Sequence, residues 1–146
     1  MAHALGIDFG TTNSAVAHID DAGLPRLARF ETPGGPSDTF RSILYFDPKP
    51  ARGAESVFAG PQAVHQYRNA QHKGRFLQSL KAYLGDASFS GTTIGGRHRT
   101  LPQLIALIVQ RLLRAAEADL GPPHASSSAV RCTSPWPATL NTMRWP

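Results

Sequence analysis

A chain of 146 residues, 41% hydrophobic and 17% charged, is long enough for one ordinary domain and reads as soluble and globular. Its net charge of +5 comes from 15 Lys and Arg against 10 acidic residues, scattered with no dense basic run and no interleaved aromatics. That pattern predicts a solvated surface rather than a nucleic-acid interface. One cysteine, Cys132, excludes an internal disulfide and fits a reducing compartment. The six histidines (His3, His18, His65, His72, His98, His124) show no metal-ligand spacing. Asp8 interrupts the N-terminal apolar run, so no signal peptide is expected. The longest apolar stretch, Leu104 to Val109, is far too short to span a bilayer, and a cytoplasmic location is expected.

Ala4 to Phe9 is short and apolar and suits a buried strand; Ala15 to Ile19 resumes the apolar pattern. Between them stand Gly10, Thr11, Thr12, Asn13 and Ser14, a composition for a turn that presents backbone N–H groups. Gly10 lets the chain bend and lets a ligand approach the backbone. Successive N–H groups form a concave nest suited to phosphate oxygens, and Thr11 and Thr12 add hydroxyl donors. Asp8 ends the incoming strand, where a carboxylate could hold hydrated Mg²⁺ beside phosphates. A phosphate-binding hairpin for a Mg-nucleotide and an ordinary hairpin with a polar tip both fit this composition.

Further along, Asp20 to Gly23 is a turn, and Leu24 to Phe30 reads as a third, partly exposed strand closing a meander. Glu31 to Asp38 is a loop, and Phe40 to Phe46 a strand stopped at Asp47-Pro48-Lys49-Pro50. Ser56 to Ala59 is another short strand. Gly60-Pro61 opens a helix through Asn69, and His65 and His72, seven apart, could share one face. From Arg75 to Gly85, Phe76, Leu77, Leu80 and Leu84 make an apolar stripe at helical spacing, with Lys81 beside it. Gly95-Gly96 suits a two-residue hairpin turn between Thr92 and Arg99. Thr100 and Gln103 form a capping-box pair at the head of the strongest helix. Leu101, Leu104, Ile105, Ile108, Leu112, Ala115 and Ala116 line one side of it, and Gly121 and Pro122-Pro123 stop it. After Gly121 the composition shifts: both tryptophans, the cysteine, five of the 12 prolines and no acid. No helical or strand period is legible there.

The string Gly6-Ile7-Asp8-Phe9-Gly10-Thr11-Thr12-Asn13-Ser14 resembles the first phosphate-binding motif of the heat shock protein 70 (DnaK-type) chaperones, members of the actin-like ATPase superfamily. Ser79-Leu80-Lys81-Ala82-Tyr83-Leu84-Gly85 is similar to the family segment whose lysine reaches the γ-phosphate and the attacking water, although the usual basic residue after that lysine is Ala82 here. Ala116-Glu117-Ala118-Asp119-Leu120-Gly121 matches the end of a family helix. The resemblance implies an α/β fold: the first lobe of an actin-like (ribonuclease H-like) ATPase, incomplete, with a mixed sheet and flanking helices over residues 1–121. It implies ATP and Mg as ligands, with Asp8 and Lys81 catalytic, Asp8 also holding Mg through water, and Gly10, Thr11, Thr12 and Asn13 binding nucleotide. Unfolded client proteins are the partners of the full-length family, with no nucleic acid and no membrane.

The family's second phosphate loop, a Gly-Gly-Gly-Thr-like turn, is absent from this sequence. The family activity, ATP hydrolysis coupled to chaperoning, is therefore expected to be weak or lost in this chain alone. Alternatives are a carbohydrate kinase or other actin-like enzyme fragment, or a non-functional remnant. Residues 122–146 are expected to be a disordered or non-native tail. The tail from about Ser127 onward is expected to be a shifted reading frame: back-translated with GC-rich codons, Ser127 to Ser134 re-reads as Val-Gly-Arg-Ala-Val-His-Phe, resembling the family's next strand. Without that strand, the first strand is expected to keep one open edge.

Overall fold

The computed structural model describes residues 5–50 and 56–121, together with the backbone of 131–132. The described chain is mixed α/β, with several antiparallel sheets and two α-helices. β1 (Leu5–Phe9) and β2 (Asn13–Ile19) form an antiparallel hairpin in which Ile7 faces Val16 and Phe9 faces Ser14. Those four are buried and Asp8 is exposed, the period-2 alternation of a strand with one covered face. The Asp20 carboxylate closes the next turn by accepting from the amides of Ala22 (3.0 Å) and Leu24 (2.8 Å). The third strand is shorter than its composition suggests. β3 covers Pro25–Leu27 alone, all exposed, while Ala28 and Phe30 turn inward and Phe30 makes an isolated bridge to Ser37.

The expected strand from Phe40 to Phe46 is two. β4 (Phe40–Arg41) pairs with β2, and β5 (Ile43–Phe46) crosses into a second sheet between β6 (Val57–Ala59) and β7 (Arg75–Gln78). The switch falls at Ser42, whose amide donates to the Thr12 carbonyl (2.8 Å). All four residues of β5 are buried, as an unbroken apolar run requires when both sheet faces are covered. Leu44 and Phe46 point into the main core with α2 (Leu101–Leu120), while Ile43 and Tyr45 join Ala63 of α1 (Gly60–Asn69) on the other face.

Two helical expectations are corrected. Arg75–Gln78 is the strand β7, and only Leu80–Gly85 coils, as a 3₁₀ turn. Phe76 pairs with Tyr45 and Leu77 with Leu44, so the segment completes the second edge of β5 instead of coiling. His65 and His72 share no helix, because α1 ends at Asn69; His65 Nε2 instead meets the Asn69 side chain at 3.0 Å.

β8 (Gly91–Ile94) and β9 (Arg97–Thr100) form a hairpin through Gly95 and Gly96, whose φ values of 56° and 76° are those of a turn that only glycine enters cheaply. The Thr100 side chain accepts from the Gln103 amide, and the Gln103 side chain accepts from the Thr100 amide, so the capping box forms as read. Leu104, Ile105, Ile108, Leu112 and Ala116 bury one stripe of α2 in the core. Near its far end, Asp119 accepts from the Arg29 amide (3.0 Å) and pairs with Arg26 (3.3 Å), tying the helix to the meander.

The outer edge of β1 is not left open. β10 (Arg131–Cys132) pairs with it in parallel, Gly6 opposite Arg131 and Ile7 opposite Cys132. The remaining expectations for 122–146 lie outside the described residues. Among the described residues, no helix is long and apolar enough to cross a membrane.

Candidate functional site

The turn joining β1 to β2 is held from beneath by two buried serines. The Gly10 amide donates to Ser14 Oγ (3.2 Å), and Ser14 Oγ and Ser42 Oγ lie 2.8 Å apart. With the Ser42 amide on the Thr12 carbonyl, these contacts stitch both ends of the turn to the β4–β5 junction. A Cβ at position 10 would overlap the Asn13 carbonyl oxygen, so the turn requires glycine for space. The Gly10 N–H is turned inward to Ser14. Gly10 therefore does not offer its amide outward, while Thr11, Thr12 and Asn13 are all exposed. Ser42 is a site residue that the sequence reading missed. Its signal was a lone hydroxyl inside an apolar strand, a position where a buried polar group needs a partner.

Asp8 stands on the exposed face of the same hairpin. Its neighbours on that face are Gly6, Ala15 opposite it and Ala17 opposite Gly6. Among the described residues, no three His, Cys, Asp or Glu side chains gather into a metal cluster. Mg²⁺ needs no such cluster when one carboxylate, waters and substrate phosphates complete its shell, and the exposed carboxylate of Asp8 is compatible with that donor set.

Lys81 comes from far along the chain. Its Nζ donates to the Phe9 carbonyl at 2.6 Å, at the last residue of β1 before the turn. Three features place it. Ser79 takes a left-handed φ of 58°, which breaks β7 and redirects the chain. Leu80, 3% exposed, then anchors the 3₁₀ turn in the core, where α2 packs against it. The Asp86 amide ends the segment by donating to the Tyr83 carbonyl (3.1 Å), and the hydroxyl and amide of Ser88 donate to its carboxylate and hold it below the usual value.

The structure thus brings Lys81 to the base of the turn that carries Asp8, Gly10, Thr11, Thr12 and Asn13. Asp8, Thr11, Thr12 and Asn13 are exposed, and Gly10 and Lys81 are half-buried. Two grooves of about 380 and 460 Å³ lie elsewhere, and none of the six residues lines either. No protein-family model matches the chain.

Proposed function

We propose that the hairpin and Lys81 form the phosphate-binding half of an actin-like ATPase site of the heat shock protein 70 type, taking Mg-ATP. The observation that carries this reading is the arrival of the Lys81 ammonium at the Phe9 carbonyl, beside a turn pinned open by Ser14 and Ser42. An ordinary polar hairpin tip has no need of a half-buried lysine delivered from 72 residues away. Thr11 and Thr12 supply hydroxyl and amide donors to phosphate oxygens, and Lys81 supplies positive charge where the terminal phosphate would lie. Asp8 would hold Mg²⁺ through water, and the ion would neutralise charge on the phosphates. The hairpin, the second sheet and the covering helices support an assignment to the first lobe of that fold, and client binding belongs to the full-length family.

A site with one phosphate loop makes only part of the usual contacts. Each missing charge-assisted hydrogen bond weakens binding by roughly 1.5–3 kcal/mol. The isolated chain should therefore bind Mg-ATP with a Kd of about 1 mM or weaker, read by phosphorus NMR titration or calorimetry. Micromolar affinity would overturn the half-site reading, and no phosphate-dependent shift of the Thr11–Asn13 amides at saturating nucleotide would overturn the site itself. Lys81→Ala should weaken Mg-ATP about tenfold, the loss of one such bond, and leave Mg-ADP nearly unchanged. Equal losses for both nucleotides would return Lys81 to a structural role.

A further inference from the structure

We propose that the groove between β9 and α2 binds an extended acidic peptide segment, added as a third strand beside the β8–β9 hairpin. The groove, about 380 Å³, is lined on one side by Arg97, His98 and Arg99 and on the other by Gln103, Leu107 and Gln110, with Ala106 completing the helix stripe. Successive residues of a strand point to opposite faces. A groove touched by three in a row therefore runs along the strand's edge, not against one face. β8–β9 is a two-stranded sheet, so β9 pairs on one side only among the described residues. Its outer edge offers backbone donors and acceptors to an incoming strand up to Thr100, whose amide is already held by the Gln103 side chain.

Charge selects the partner. Among the described residues no acidic side chain lines the groove, and the first turn of α2 carries none either. Three basic or titratable side chains thus precede the positive end of a helix, which favours anions. Arg99 lies over the Phe46 ring, 5.5 Å from its centre, and its Nε is buried with no acceptor among the described residues. A desolvated donor without an acceptor is costly, and an incoming carboxylate would supply one. Gln103 to Gln110 spans roughly 10 Å at 1.5 Å per residue, room for about three extended residues. Carboxylates at alternate positions would meet Arg97 and Arg99, and the residue between them would lie on the His98 side. This proposal is independent of the nucleotide reading.

The test is fluorescence anisotropy of the full chain with a labelled Glu-Val-Glu-Val-Glu peptide. Two controls are Glu-Pro-Glu-Pro-Glu, which keeps the charge but removes the amide donors between the glutamates, those that would face His98 with the carboxylates on Arg97 and Arg99, and an oligothymidylate of matched charge. The expected result is binding at least about tenfold tighter than either control, lost about tenfold on Arg97→Glu, an exposed change whose fold is checked by thermal melting. Equal binding of the proline peptide would overturn strand addition, tighter binding of the oligonucleotide would overturn the peptide partner, and indifference to Arg97→Glu would overturn the location.

Discussion

Ser42 and Gly10 set the turn's shape by opposite means, one by adding a hydroxyl and the other by lacking a Cβ. Ser42→Ala leaves Ser14 Oγ without its buried partner while keeping the backbone bond from position 42 to Thr12. The expected cost is about 1–3 kcal/mol in urea unfolding, with faster hydrogen exchange at the Gly10 amide. Unchanged exchange would mean the serine pair does not hold the turn. Gly10→Ala places a methyl against the Asn13 carbonyl, so the turn must change shape, and the Thr11–Asn13 amide shifts that the proposed function expects with Mg-ATP should be absent. The residues of the turn were legible because they are contiguous and each has a local reason to be there. Ser42 was not, because its meaning depends on a partner 28 residues away.

At the scale of elements, legibility followed the length of the signal. α2 shows its period over five turns and carries its own cap, and it forms where the sequence puts it. The Arg75–Gly85 segment is too short for period to decide, since residues 76, 77, 80 and 84 fit either a helix or a strand followed by a turn. The tie is broken by β5, an apolar strand that needs partners on both edges, and by the left-handed Ser79. That conformation costs a non-glycine residue roughly 1–2 kcal/mol. Ser79→Gly should therefore be neutral or stabilising by up to about 1 kcal/mol, while Ser79→Val should destabilise by about 1–2 kcal/mol, because a β-branched side chain fits φ > 0 badly. Urea titration separates the two. If Gly and Val cost the same, strain at Ser79 is not what turns the chain toward Lys81.

At the scale of the whole molecule, the first sheet depends on chain far beyond its own hairpins. β1 is the inner strand of the path β10-β1-β2-β3 only because Arg131–Cys132 lies on its outer side. Composition gave no hint of this pairing: a two-residue strand has no period, and it sits among proline and serine rather than in an apolar run. Pairing this brief contributes only a few backbone hydrogen bonds, each worth about 0.5–1.5 kcal/mol net. Its larger effect is to occupy an edge that would otherwise accept a strand from another molecule. The expected outcome of ending the chain at Gly121 is a modest fall in unfolding midpoint, about 1–3 kcal/mol in stability, with self-association rising as concentration increases. Cys132→Pro separates pairing from mere chain length, since proline removes a ladder donor while keeping every other residue. It should reproduce most of the self-association in sedimentation velocity. If both variants melt and sediment like the intact chain, the β1 edge is protected by something other than β10.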